Sequence, residues 1–112
     1  MRYGYVRANS EEHKVAQINF LQNKVDKIII EETGEELNKL LDTIQPKDSL
    51  YVYDMDRFTR KIGRAKEIIN ILIDKNIDLY THKGIIDLMI VAVELGKYKD
   101  KAEELRKRIG IE

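Results

Sequence analysis

Short apolar runs and stretches of helical spacing take turns along this chain, and that alternation constrains its fold more than any other feature. Tyr3-Gly4-Tyr5-Val6, Lys27-Ile28-Ile29-Ile30, Leu50-Tyr51-Val52-Tyr53 and Ile77-Asp78-Leu79-Tyr80 are rich in β-branched and aromatic residues and read as four strands. Between the first two, Val15, Ile18, Leu21 and Val25 recur at helical intervals with Phe20 alongside. Asn9 or Ser10 would cap this helix, and Asn9 to Glu12 has the spacing of a capping box. Leu37, Leu40, Leu41 and Ile44 form one face of a second helix that stops before Pro46. Ile62, Ala65, Ile68, Ile69, Leu72 and Ile73 trace a third. Strands joined through helices return in the same direction. The expectation is therefore an α/β fold, a three-layer sandwich around a mainly parallel four-stranded sheet.

With 112 residues the chain has room for one domain, 1–112. It contains no cysteine, which removes a disulfide scaffold, a thiolate metal site and a cysteine nucleophile together. From Ile85 to Leu95 only Asp87 and Glu94 are charged. A helix apolar on nearly every side must be covered on every side, and in so small a domain a second subunit is the available cover. Ile86, Met89, Ile90 and Val93 are the expected dimer contacts, on a helix expected to run from Gly84 to Arg108 unless Gly96 breaks it. Unbroken, it would reach roughly 37 Å. The apolar stretch is too short to cross a bilayer, which takes about 20 residues. The N-terminal MRYGYVR lacks a signal-peptide core, so a cytoplasmic protein with no membrane partner is expected.

Twenty basic residues offset twenty acidic ones. A zero formal charge argues against coating nucleic acid by bulk attraction, so any contact with DNA must come from local clusters. One such cluster exists. Arg57, Arg60, Lys61, Arg64 and Lys66 lie in a stretch without an acidic residue. In an open parallel sheet ligands bind beyond the carboxyl ends of the strands. The first strand delivers Arg7, Asn9 and Ser10 to that edge, the third delivers Asp54, Asp56, Arg57 and Arg60, and the second ends at Glu31 and Glu32. Arginine forks beside a helix start make a phosphate site. Plainer roles compete. Ser10 serves as a helix cap, Arg57 and Arg60 pair with Asp54 and Asp56, and Lys61, Arg64 and Lys66 form a solvated helix face. His13 and His82 have no ligand spacing, and Tyr51 and Tyr53 read as sheet packing. Asp54-x-Asp56 after a strand also admits a magnesium phosphotransferase, although Arg57 would compete with a cation.

MRYGYVR, followed by a turn and a helix, and then YVYDMDRFTRKIGRAKEIINILIDKNIDLYTHKG resemble the catalytic domain of resolvase/invertase-type serine recombinases. Asp56-Arg57-Phe58-Thr59-Arg60 is similar to the family's Asp-Arg-Leu-Gly-Arg signature, Gln17 and Leu21 resemble its Gln-Leu-containing first helix, and the last helix looks like its dimerisation helix. The resemblance implies metal-free and cofactor-free phosphoryl transfer. A serine attacks a DNA phosphodiester, forming a 5′-phosphoserine link and releasing a 3′-hydroxyl, while arginines neutralise the developing charge. On this reading Arg7, Arg57 and Arg60 contact the phosphate, Asp56 orients an arginine or handles a proton, and Lys61 and Arg64 add DNA contacts.

The sequence departs from the family at four places. Tyr5-Val6-Arg7-Ala8-Asn9-Ser10 puts Asn9 at the nucleophile position, and Ser10 substitutes only if the loop slides by one residue. Glu31 to Glu36 is acidic where the family carries another catalytic arginine. His82-Lys83-Gly84 runs straight into the last helix, and no separate DNA-binding domain is expected beyond Glu112. The expectation is a recombinase-like protein with catalysis impaired and with weak or partner-dependent DNA binding. The alternative is a non-catalytic dimeric regulator or partner of an active recombinase.

Overall fold

The structure is a computed structural model that describes residues 1–97. Five strands form one sheet: β1 (Arg2–Val6), β2 (Lys27–Ile30), β3 (Ser49–Val52), β4 (Asp78–Thr81) and β5 (Gly84–Ile85). Four helices connect or follow them: α1 (Glu11–Leu21), α2 (Glu36–Thr43), α3 (Ile62–Asp74) and α4 (Leu88–Lys97). A 3-10 turn, Met55–Arg57, lies between β3 and α3. The sheet order is β2-β1-β3-β4-β5, parallel as far as β4 and antiparallel between β4 and β5.

The two faces of the sheet can be read from its register. Tyr5 pairs with Val52 and Tyr3 with Leu50, which itself pairs with Leu79, so these side chains share one face. There they form the core with Leu37, Leu40, Leu41 and Ile44 beside α2, and with Ala65, Ile68, Ile69 and Leu72 of α3. Burial of each of these large side chains stabilises the fold by about 1.5–3 kcal/mol relative to exposure. The opposite face carries Gly4, which pairs with Tyr51, and Tyr51 stacks on Tyr80 with ring centres 4.5 Å apart. Helix α1 lies tight against this face. A Cβ on Gly4 would sit 3.0 Å from Leu21 Cδ1, so the glycine permits the close approach. The three layers match the sequence reading.

Several expectations change. The sheet has five strands rather than four, because Gly84, at φ +102, lets the chain fold back and pair Gly84 with Thr81 and Ile85 with Tyr80. The last helix accordingly begins at Leu88 and not at Gly84. Asp87 sets that start: its Oδ1 accepts from the backbone N–H groups of Met89 (3.1 Å) and Ile90 (3.2 Å), as an N-cap does. Nor is this helix covered on every side. Val91 and Leu95 are buried against the core, with Leu88 and Ala92 partly so. Met89, Ile90 and Val93 are open, joined by Ile85, while Ile86 turns inward against the core. The expected continuation to Arg108 lies outside the described residues. On α1 the apolar stripe is also displaced: Val15 is 46% exposed, whereas Gln17 is buried. Among the described residues no helix is long and apolar enough to cross a membrane.

Candidate functional site

A strand order of β2-β1-β3-β4 forces a divergence at one place. The chain leaves β1 toward β2 on one side and leaves β3 toward β4 on the other, so α1 and α3 lie on opposite faces. The loops after β1 and β3 therefore part, and a crevice opens between them at the carboxyl edge. The residues expected to carry catalysis, Arg7, Asn9, Ser10, Asp56, Arg57 and Arg60, fall on these two loops.

The first loop is held from below by Gln17. The Arg7 backbone N–H donates to Gln17 Oε1 (3.2 Å), and Gln17 Nε2 donates to the Arg7 carbonyl (2.9 Å). This reciprocal pair satisfies a buried amide and explains why a polar residue displaces Val15 from the inner face. Ser10 then starts α1: it is extended, and its Oγ accepts from the His13 backbone N–H at 3.2 Å. The hydroxyl is engaged as a cap, and Asn9 stands one residue earlier, facing the crevice.

The second loop is organised around Asp56, whose side chain is only 4% exposed. Arg57 Nη2 donates to Asp56 Oδ2 at 2.9 Å, and Arg60 grips the same carboxylate twice, Nε to Oδ1 at 2.9 Å and Nη2 to Oδ2 at 3.1 Å. Arg57 also donates through Nε to Asp54 Oδ1 (3.1 Å) and through Nη1 to the Arg7 carbonyl (3.4 Å), tying the loops together. Arg7 reaches back, its Nη1 donating to the Phe58 carbonyl at 3.3 Å, while the Phe58 ring stacks on Tyr5. Both carboxylates of Asp54-x-Asp56 are thus taken by arginines, Asp56 by a fork and Asp54 by a single bond.

Between the loops lies a cavity of about 350 Å³ lined by Arg7, Asn9, Asp56, Arg57, Thr59, Arg60 and Lys61. The three arginines expected to meet a phosphate all face it, together with Asn9 and Lys61. Arg64 lies a turn further along α3. It pairs with Glu67 at 2.9 Å and with Asn38, and lines an adjoining cavity instead. Ser10 is absent from the lining. The electrostatic balance matters. Asp54 and Asp56 offset Arg57 and Arg60, but among the described residues Arg7 and Lys61 have no carboxylate partner. A cavity rimmed by preoriented guanidinium groups with surplus positive charge suits a tetrahedral oxyanion.

Within the acidic loop after β2, one carboxylate is taken up by the fold. Glu31 turns inward. Burial would raise its pKa, but hydrogen bonds from the Tyr5 hydroxyl and from the backbone of Glu36, Leu37 and Gly34 outweigh that, so the group stays below its ordinary value. Tyr5 responds oppositely: burial first, then the hydrogen bond to Glu31, push its phenol upward.

Three residues quoted only for the family resemblance have roles that the sequence does not show. Thr59 is buried at the cavity floor with its Oγ1 accepting from the Lys61 N–H, the Phe58 carbonyl anchors Arg7, and Gln17 clamps the first loop. A polar residue at an inward helical position was the available signal for the last.

Over residues 2–89 the sequence matches the family described as Resolvase, N terminal domain. Among solved structures, the N-terminal catalytic domain of TP901-1 integrase matches with a TM-score of 0.71, 17% sequence identity, and coverage of 93% of this chain and 97% of that one. At such identity the likeness shows the fold. No curated protein matches the sequence.

Proposed function

The chain belongs to the resolvase N-terminal domain family, the catalytic domain of serine recombinases, and from that premise we propose that it is a recombinase-like protein of site-specific DNA recombination whose pocket still receives a backbone phosphate but whose own attack is disabled. The observation that carries the reading is the exchange of roles between neighbours. Asn9 lines the cavity with Arg7, Arg57 and Arg60, whereas Ser10 Oγ is committed to capping α1. A carboxamide has no hydroxyl to deprotonate, and the amide nitrogen's lone pair is delocalised, so nothing at position 9 can form a phosphoester. Moving Ser10 into place would uncap α1 and slide a loop held by Gln17. Attack geometry tolerates shifts on the order of 1 Å at most before rates fall steeply.

A regulatory or partnering role is favoured by one further observation. Ile85, Met89, Ile90 and Val93 are each more than half exposed, so the chain offers an apolar face to a second recombinase-type subunit, its own copy or an active relative. DNA contact through the cavity and pairing through α4 together describe a subunit that occupies a recombination complex without cutting its strand.

The test is Asn9→Ser with supercoiled DNA and a denaturing quench. In the variant, serine Oγ forms a bond to phosphorus, the bond to the 3′ oxygen breaks, and that oxygen leaves as a hydroxyl with the proton. A covalent protein–DNA adduct is expected for Asn9→Ser and not for the native chain. An adduct in the native chain that vanishes in Ser10→Ala would make Ser10 the nucleophile and overturn the proposal. An inert Asn9→Ser would show that the pocket does not hold a phosphate in line for attack.

A further inference from the structure

The cavity beside Asn9 does not end at Lys61. A second cavity of about 300 Å³ opens beyond it and shares Arg7, Thr59 and Lys61 as a common wall. Its far side is formed by Tyr5, Glu31, Asn38 and Arg64. Two adjoining lobes with cations in the partition and at both outer ends form a track rather than a pocket.

Glu31 brings one negative charge to the second lobe, where Arg7, Lys61 and Arg64 outnumber it, and its oxygens are held by donors of the chain itself. Oε1 accepts from the Tyr5 hydroxyl (2.8 Å) and the Leu37 N–H (3.1 Å), and Oε2 accepts from the N–H groups of Gly34 (2.9 Å) and Glu36 (3.1 Å). These bonds cap the start of α2 and fix the carboxylate toward the helix. The cations are less fully compensated. Among the described residues Lys61 and Arg7 have no ion-pair partner, and the carboxylate that Arg64 meets, Glu67, is 66% exposed and therefore well screened. Positive potential thus continues from the first lobe, through the partition, into the second.

We infer that the second lobe binds the phosphate next to the one held beside Asn9, so that Arg7 and Lys61 stand between two consecutive phosphates of one DNA strand while Arg64 meets the second alone. The inference rests on the proposed phosphate site in the first lobe and adds the direction in which the strand leaves it. Lys61 is suited to the partition because its ammonium is a point charge on a flexible stem and serves either neighbour, whereas Arg57 and Arg60 are fixed by Asp56 toward the first lobe.

The experiment uses single-stranded oligonucleotides made neutral by methylphosphonate linkages except for one charged phosphodiester, or for two adjacent ones. Affinities are measured by fluorescence anisotropy over a salt series. The native chain is expected to bind the doubly charged strand about tenfold more tightly than the singly charged one, with the salt slope steeper by about 0.7 for the added phosphate. Arg64→Ala should reduce the ratio toward the twofold of simple statistics, and Arg64→Gln, which keeps the aliphatic stem, should do the same if the alanine variant folds poorly. Arg60→Ala should weaken both strands and keep the ratio. A ratio untouched by both Arg64 variants, or a native ratio of two with Arg60 still required, overturns the second lobe alone. No binding to either strand, or binding indifferent to Arg60, overturns the first phosphate site and this inference with it.

Discussion

The carboxyl edge of the sheet and the outer face of α4 are built on opposite plans. At the edge nearly every polar group has a partner within the chain: Asp56 is gripped by two arginines, Arg57 joins Asp54 and the Arg7 carbonyl, and Gln17 holds the Arg7 backbone. On α4, Met89 and Ile90 are 62% and 60% exposed while Leu95 on the opposite side is fully buried. The edge is therefore prepared before anything binds, which is how fixed charges are worth most to a phosphoryl group. On the proposed reading the helix face is half of an interface. One chain suffices to define an anion site, whereas a contact between subunits requires the second surface, so the edge can be read from a single chain and the face only from its incompleteness.

The sharpest way to break this contrast is to remove the hub of the edge. Asp56→Ala leaves Arg60, 66% exposed, free to rehydrate, but strands Arg57, which is 22% exposed and keeps only Asp54 and the long bond to the Arg7 carbonyl. A loss of about 2–3 kcal/mol in urea unfolding is expected, toward the lower end for a broken buried pair because one partner escapes to water. A loss near zero would mean that the edge is not held by Asp56 at all. Gln17→Ala comes next, at about 1–2 kcal/mol, since it leaves the Arg7 N–H unpaired and its carbonyl with only the long bond from Arg57. Gln17→Glu separates the two bonds: it can still accept from the N–H but cannot, when ionised, donate to the carbonyl, and should fall between alanine and the native chain.

Much of this organisation was legible in the sequence because it is local. The runs at Lys27–Ile30 and Leu50–Val52 carry strand composition, the Ile62–Ile73 pattern carries helical period, and basic residues after a strand mark the edge. The fifth strand was not legible: Gly84 and Ile85 are two residues whose pairing exists only because β4 lies beside them. The start of α4 was signalled by Asp87 before an apolar run, a cap whose meaning was masked by the apolar residues ahead of it. Val15 was misplaced because periodicity counts greasy side chains and takes no account of an amide needed by the Arg7 backbone. For the same reason the sequence does not show that Glu31 caps α2. Four donors converge on it only after α2 docks.

Ser10→Ala should cost about 1 kcal/mol, as caps do, with no effect on phosphate affinity, because the hydroxyl faces His13 and not the cavity. A larger effect on binding than on stability would place Ser10 in the site. Glu31 yields a smaller, pH-dependent effect. Its folded pKa lies below its ordinary value, so its contribution is complete above the ordinary carboxylate range and is lost as the pH falls through the folded pKa. Urea midpoints measured from neutral toward acid should therefore drop less steeply in Glu31→Gln than in the native chain. Parallel curves would mean that the four hydrogen bonds do not favour the ionised form.

The smallest effect on unfolding is expected where the contrast predicts none, on the outer face of α4. Met89 is 62% exposed, so Met89→Glu breaks no packing, and its position in the first turn places the new carboxylate near the positive end of the helix dipole. At a concentration where the chain is monomeric, stability should change by no more than about 0.5 kcal/mol, in either direction. Self-association should respond quite differently. A glutamate pressed between two apolar faces must be desolvated without a partner, so the mass seen by light scattering should fall from twice the 13.2 kDa of the chain to the single value. Stability of the native chain should rise with concentration, while that of the variant should not, since association stabilises only what it binds. A native chain that stays monomeric at every concentration, with Met89→Glu indistinguishable from it, would deny this face a second copy and leave a different recombinase-type subunit as its partner.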